Sequence, residues 1–267
     1  MTDILHPSGA DYIQHHLRYY RLDLRTFTIG DGGGFWTLNL DTLIISIITG
    51  ALFLGVLYFV VRNLNSERPG KLQAFIELVV ESVQQIVTEI FHGKSALIAP
   101  LALTIFSWIF LLSLFDLVPV DLLPRMVFSL FNIEHFRVVA TDDANLTFAL
   151  SLSVFLLIIF YNFKSKGPRN LTKEIFSEPF GIWFFPFNFI FRVIEEVVKP
   201  LSLSLRLFGN MFAGELVFFL IATMPWWLQW TAGGIWSVFH VLIISIQAFI
   251  FMMLTIIYLS MAQQSDH

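Results

Sequence analysis

Few residues in this sequence have the capacity for chemistry, and they sit where apolar residues are expected. Within LSLSLRLFGNMFAGE, residues 201–215, Arg206 stands amid leucine, phenylalanine and methionine, and Glu215 follows nine residues later. A later apolar run, residues 234–261, carries His240 and Gln247. A cation at membrane depth costs about 2.5–3.5 kcal/mol on insertion scales, so its presence calls for a function. Guanidinium stays protonated at any relevant pH and cannot relay protons, whereas an imidazole exchanges them near neutrality. The set reads as charge and proton chemistry, not bond-making. No nucleophile–base–acid arrangement is legible, so no catalytic residue is assigned. His15 and His16 are adjacent and diverge on a helix, a poor metal site. HGKSA, residues 92–96, ends like a phosphate loop, but Thr88 replaces the required earlier glycine and the flanks are not a strand and a helix. With no cysteine there is no thiolate metal site, cluster or disulfide, and no cofactor or metal is expected.

The elements that position these groups follow from composition. Of 267 residues, 56% are hydrophobic and 13% charged, with a formal net charge of -4. Soluble domains carry about 25% charged residues, so the deficit points to a lipid bilayer. No basic patch suggests nucleic acid. The first 40 residues carry Asp3, Asp11, Arg18, Arg21, Asp23 and Arg25 and lack the apolar core of a cleavable signal, so insertion is expected to rely on internal spans. Long apolar runs predict spans over residues 43–61, 97–118, 146–163, 182–224 and 234–261.

The fourth run is too long for one upright span. About 40 residues make roughly 60 Å of helix, against a hydrocarbon core of about 30 Å. Pro200 is the clearest interior break, yet Glu195, Glu196 and Lys199 beside it lack turn chemistry. The run therefore reads as one long, steeply tilted or bent helix entered near Pro186, forming a hairpin with the last helix. PWWLQW, residues 225–230, marks the turn at the outer interface. The predicted fold is an all-α integral membrane protein with about five transmembrane helices and an N-terminal amphipathic segment. Residues 1–40 would be an external segment and 41–267 a single polytopic membrane domain. Lys and Arg in loops 62–96 and 164–181 place those loops in the cytoplasm, the N-terminus outside and the C-terminus inside.

At 100° per residue, Arg192, Glu195, Lys199, Ser202 and Asn210 fall within about 40° of Arg206, forming one polar stripe. Arg192 with Glu196, and Glu195 with Lys199, are i,i+4 pairs that partly neutralise each other; the four could equally be a solvated interfacial face. Arg206 has no acid at i±3 or i±4, so its partner must come from elsewhere. Glu215 lies about 180° round from it. If the last two helices run antiparallel with Arg206 beside Gln247, Glu215 falls opposite Val238, about 3 Å in depth from His240. Glu215 and His240 could each instead be a satisfied interhelical hydrogen bond. Gly209 and Ala213 form a small-xxx-small pair suited to close packing.

KPLSLSLRLFGNMFAGE (199–215) and IQAFIFMMLTIIYLSMA (246–262) closely resemble subunit a of the bacterial F-type ATP synthase. DYIQHHL, LDLRTF, HGKSALIAPLALTIF, DLVPVDLLP and RVVATDDANLT carry the resemblance across nearly the whole chain. It implies a non-catalytic, multi-pass stator subunit of the bacterial inner membrane. Its partners would be a rotating c-subunit ring, the b subunits of the peripheral stalk and, indirectly, the other ATP synthase subunits. Protons, rather than sodium ions, would enter and leave through two offset half-channels. The resemblance matches Arg206 to the family's essential arginine and Gln247 to its polar partner. It matches Glu215 and His240 to the entry pair, with Asn210 nearby, and Asp116, Asp121 and Asp143 to the outer entry region. Ser113 replaces an asparagine common in relatives, and Arg192 replaces an exit-side acid. Glu195, Glu196 and Ser202 remain as candidates for half-channel lining. The alternative from residues alone is a stand-alone ion channel or secondary transporter, although the inverted repeats such transporters commonly show are not visible.

Overall fold

A computed structural model describes residues 20–28, 36–65, 68–91, 97–118, 129, 137, 139–177 and 182–263, with side chains described outside 169–182. The protein is an all-α integral membrane protein. Among the described residues six helices follow one another: α1 (Leu40–Arg62), α2 (Lys71–Ile90), α3 (Ile98–Leu114), α4 (Ala144–Ser177), α5 (Phe185–Ala222) and α6 (Trp226–Gln263). All but α2 are long and apolar enough to cross a bilayer, over Leu40–Arg62, Ile98–Leu117, Ala144–Pro168, Phe185–Ala222 and Trp226–Gln263. These match the five spans expected from apolar runs. Of residues 1–40, where the N-terminal amphipathic segment was expected, 20–28 and 36–40 are described, and the rest lie outside the described residues.

The helix ends have local causes. α4 is interrupted at Gly167, whose φ of 72° is open to glycine and strained for other residues, and Pro168 follows. α5 is entered from a 3-10 turn at Ile182–Phe184, with Pro186 in its first turn, where the missing N–H costs nothing. It continues as helix through Pro200; membrane helices tolerate proline because neighbouring groups re-satisfy the freed carbonyl. α5 and α6 are 38 residues each, about 57 Å of helix, and only Thr223–Pro225 separates them. Gln229 Nε2 reaches back to the carbonyls of Ala222 at 2.9 Å and Met224 at 2.7 Å, satisfying acceptors that the end of α5 leaves open.

Among the described residues, one helix and a two-stranded hairpin escaped the apolar-run reading. Within the expected loop 62–96, Lys71–Ile90 is a 20-residue helix. Its Glu77, Glu81, Gln84, Gln85 and Glu89 share the helix with Val83 and Val87, which are buried. The signal is 3.6-residue periodicity rather than continuous hydropathy. Ahead of α1, β1 (Arg21–Asp23) pairs antiparallel with β2 (Thr37–Asn39), with Arg21 opposite Asn39. Three-residue strands are too short for a period-2 pattern to register.

The chain forms two compact units. One comprises residues 1–57, 108–146 and 208–247. Its buried apolar residues include Ile109, Leu112, Val139, Met211, Phe219 and Ile244. The other comprises residues 58–107, 147–207 and 248–267, with Ile98, Val154, Ile158, Leu203, Phe251, Met252 and Leu259 buried. Ile47, Leu54, Phe59 and Val61 of α1 stay exposed. Lipid is as apolar as these side chains, so they carry no penalty there, and helix association rests on close packing and hydrogen bonds.

Candidate functional site

In the first unit α5 and α6 run antiparallel. Asn210, Gly214, Phe218 and Ile221 of α5 meet Gln247, His240, Trp236 and Gly233 of α6, numbers rising on one helix as they fall on the other. Gly214 decides the closeness of this contact: a Cβ there would collide with the His240 ring. His240 is fully buried, edge-on to Phe218 with centroids 5.5 Å apart and stacked on Trp236 at 6.0 Å. Its Nε2 contacts Asp116 Oδ2, presented by the 3-10 turn Phe115–Leu117 that ends α3.

Glu215, one residue beyond Gly214, pairs with Arg137 of the segment before α4, Nη2 to Oε2 at 2.6 Å. The same Nη2 contacts Asp142 Oδ2. Asp41, at the start of α1, accepts from Tyr20 N at 3.1 Å, Thr42 N at 2.8 Å and Arg137 N at 3.4 Å. Asn39 donates to Asp143 Oδ2 at 2.7 Å, while Asp143 Oδ1 accepts from Asn145 N at 2.9 Å and caps α4. Asp41, Asp116, Asp142, Asp143 and Glu215 are all buried, against Arg137 and His240 as the buried basic residues described in this unit. Ser113 Oγ, Thr141 Oγ1, His240 Nδ1 and Gln247 Nε2 are also buried, without a protein hydrogen-bond partner among the described residues. Buried polar atoms of this kind are places that water or a transferring proton can serve.

The second unit holds Arg206. Its Nη2 reaches Ser202 Oγ, one turn back, at 3.4 Å, and no carboxylate lies within ion-pair distance among the described residues. Ser202 and Asn210, within about 40° of it round the helix, are exposed, and Arg206 itself is half-buried. Among the described residues, the face of α5 that carries Arg206 is thus left open.

The same unit contains a polar cavity of about 190 Å³. Asn162 and Lys166 of α4, Arg192, Glu195, Glu196 and Lys199 of α5, and Tyr258 of α6 line it. Arg192 reaches Glu195 at 3.7 Å and Glu196 at 3.5 Å. Lys199 reaches the same two acids at 3.2 and 3.0 Å and lies 6.0 Å from the Tyr258 ring centroid. The two i,i+4 pairs expected from spacing form, with the i,i+3 pairs Arg192–Glu195 and Lys199–Glu196 beside them, and together they neutralise this part of the stripe from within. At a liquid share of about 30 Å³ per molecule, the cavity is roomy enough for several waters.

The structure thus brings Asp116, Asp143, Asn210, Glu215, His240 and Gln247 into one unit, and Glu195, Glu196, Ser202 and Arg206 into the other. Asp121 lies outside the described residues. Gly214, the residue before Glu215, lies against the His240 ring, while His240 contacts Asp116 and Glu215 contacts Arg137. Gln247 takes its hydrogen bond from Asn210, at 2.8 Å. Sequence reasoning passed over Arg137, Asp142, Asn39 and Asp41 as site residues. Asp41 at the head of an apolar span was the available signal; Arg137 had none beyond being a basic residue in an acidic loop.

Membrane-spanning helices that bury this many carboxylates, an imidazole and a guanidinium between them define a class of polytopic membrane proteins built to move charge. The family model for the ATP synthase A chain matches residues 43–260. The chain is 57% identical over 258 residues to the ATP synthase subunit a of Coxiella burnetii, covering 97% of both proteins. The subunit a of Alkalilimnicola ehrlichii is 51% identical over 259 residues, covering 97% of this chain and 98% of that one. For that of Shewanella halifaxensis the figures are 48% over 276 residues, 99% and 98%. The chain belongs to the ATP synthase A chain family, and with its five spans it is a bacterial membrane protein of ATP synthesis and proton transport.

Proposed function

We propose that this chain is the stator half of a proton-driven rotary motor, non-catalytic by itself, conducting protons through two half-channels offset across the face of a c-subunit ring. The observation that carries this reading is Arg206. It is a permanent cation at membrane depth, without an ion-pair partner among the described residues, on a face of α5 that its own chain leaves uncovered. A mobile carboxylate on a neighbouring ring is the partner such a cation needs. A fixed cation within about 4–6 Å favours the charged form of a carboxylate, by one to three pKa units. Each ring carboxylate would release its proton on passing Arg206, and the arginine, unable to carry a proton, would block direct leakage between the half-channels.

The buried carboxylates and imidazole of the first unit outnumber its fixed cation, which suits a path that accepts protons, and its unpartnered Ser113, Thr141, His240 and Gln247 atoms mark where water would run. This is the entry half-channel. The polar cavity between Arg192, Glu195, Glu196, Lys199 and Tyr258 supports the exit half-channel. The N-terminus and residues 1–40 lie outside and the C-terminus in the cytoplasm, with residues 41–267 a single polytopic domain. The partners are the c-ring and the b subunits of the peripheral stalk.

The absence of cysteine makes a direct test available. Single cysteines at Ser113 and Thr141 are expected to react with a membrane-impermeant thiol reagent from outside, and one at Glu195 from the cytoplasmic side. Cysteines at 202 and 210 are expected to crosslink to the ring. Labelling of all positions from one side, or purified chain conducting protons without a ring, overturns the reading.

A further inference from the structure

We propose that the β1–β2 hairpin ahead of α1 is a membrane anchor, its apolar face and its Phe27 tip seated in the headgroup layer of the outer leaflet with Arg25 against lipid phosphate. The lipid contact rests on α1 being a span; only the choice of leaflet rests on the orientation proposed above.

Successive side chains of a strand point to opposite faces. β1 and β2 pair Leu22 with Leu38 and Asp23 with Thr37, and the Leu24 amide donates to the Trp36 carbonyl at 2.9 Å. Leu22, Leu24, Trp36 and Leu38 therefore share one face, and Arg21, Asp23, Thr37 and Asn39 share the other. A hairpin in water keeps its polar face outermost. Here, at Asn39, the polar face turns inward: the side chain is buried and donates to Asp143 Oδ2 at 2.7 Å. The apolar face is half-buried at Leu22 and Leu38 and opens toward the tip, where Leu24 is 41% and Trp36 50% exposed.

The backbone of the tip points the same way. The Asp23 amide donates to the Thr28 carbonyl at 3.1 Å, the Phe27 amide to the Asp23 carbonyl at 2.8 Å, and the Arg25 amide to Asp23 Oδ1 at 2.8 Å. This tight turn holds Phe27 at a φ of 52°, in the left-handed region that favours glycine. The Phe27 residue is 77% exposed, so little packing within the chain offsets the strain. A strained aromatic with so little contact in its own chain is a reason to look for a partner outside it.

The position of α1 identifies that partner as lipid. Leu40 follows Asn39 directly, and the 23 residues Leu40–Arg62 make about 34 Å of helix against a hydrocarbon core of about 30 Å. The edge of the core thus lies near Leu40. The Leu40 amide donates to the Tyr20 carbonyl at 2.9 Å and the Tyr20 amide to Asp41 Oδ2 at 3.1 Å, which stitches the hairpin to the head of the span. Four residues at about 3.3 Å each keep Trp36 within roughly 13 Å of that edge when upright, and closer when the hairpin leans over, so the indole reaches the headgroup layer. Tryptophan is enriched at this depth. The Arg25 guanidinium stands over the Trp36 ring, 5.7 Å from its centroid. Its planar fork suits phosphate, and its stem can lie along apolar surface. A lipid surface offers phosphate and acyl chain side by side, the mixture for which this tip carries partners.

The test uses the assembled ATP synthase complex, with the cysteines of its other subunits replaced, in liposomes where the catalytic sectors face outward. This chain has no cysteine. A fluorophore is attached at Leu24→Cys, Phe27→Cys or, on the polar face, Thr37→Cys. Quenching is read with a phospholipid carrying a nitroxide near its headgroup and with iodide in the trapped water. Labels at 24 and 27 are expected to be quenched by the lipid nitroxide about twofold or more above the label at 37, and to be protected from iodide. Strong iodide quenching at 24 and 27 without lipid quenching, or protection from both quenchers, which would mean that a protein covers the face, overturns the anchor. Phe27→Gly relieves the positive φ and removes the ring. It is expected to leave the melting temperature in detergent no lower while lipid quenching at Leu24→Cys falls about twofold; unchanged quenching overturns the role of Phe27. External ascorbate destroys the nitroxides of the leaflet on the catalytic-sector side and is expected to leave the quenching in place. Loss of quenching on ascorbate would uphold the lipid contact and refute the orientation, so the two readings fail separately.

Discussion

Asn210 donates its side-chain amide to Gln247 Oε1 at 2.8 Å, while Gln247 Nε2 is buried without a protein partner among the described residues. The bond joins α5 to α6 and leaves a donor over. An interhelical amide pair in a membrane contributes about 0.6 kcal/mol on average and up to about 1.7. In a double-mutant cycle with Asn210→Leu and Gln247→Leu, the coupling in thermal stability of the detergent-solubilised complex is expected in that range. Additive losses would mean the bond contributes nothing to holding the two helices.

Arg206→Ala is expected to abolish proton-driven ATP synthesis while the chain still inserts and assembles. The electrostatic contribution of one to three pKa units corresponds to about 10- to 1000-fold in the ionised fraction of the facing carboxylate. Synthesis rates in inverted vesicles, with the amount of complex measured in parallel, decide this. Coupled synthesis at the normal rate would remove the arginine from the mechanism.

Gly214→Ala places a methyl group where the His240 ring lies. Overpacking of this kind costs about 1–3 kcal/mol, and the ring must shift away from Asp116. Reduced proton flux is expected, accompanied by a lower melting temperature of the complex. Wild-type values for both would show that the helices separate freely at this point.

Asp143→Ala removes the acceptor of both Asn39 and the Asn145 amide. Loss of a helix cap costs about 1 kcal/mol, and stranding the buried Asn39 amide about 1–3 kcal/mol more. The expected result is earlier proteolytic cleavage near residue 144 and a lower melting temperature. Asp143→Asn, which keeps an oxygen, is expected to lose less.

The spans were legible because membrane helices announce themselves by continuous hydropathy, and five of five were placed to within a few residues at most ends. α6 is the exception. It begins at Trp226 rather than near residue 234, because Trp226, Trp227, Gln229 and Trp230 interrupt the hydropathy without interrupting the helix. α2 was missed for the complementary reason, its apolar face being diluted by glutamates and glutamines. The polar stripe on α5 was readable because a regular helix converts spacing into direction. That reading stops at the helix: it gives the face of Glu215 but not the residue across from it.

Sequence alone determined that this is a membrane protein, where its spans run, that Arg206 has no neighbouring acid on its own helix, and which family it joins. Each depends on composition or on spacing within one regular element. Tertiary structure decided the pairing: His240 with Asp116, Glu215 with Arg137, Asn39 with Asp143 and Asn210 with Gln247. These partners lie 37 to 124 positions apart in the chain. No local rule relates them, because the contact of one buried charge with another is set by how segments pack, and desolvation punishes every arrangement that leaves a charge alone.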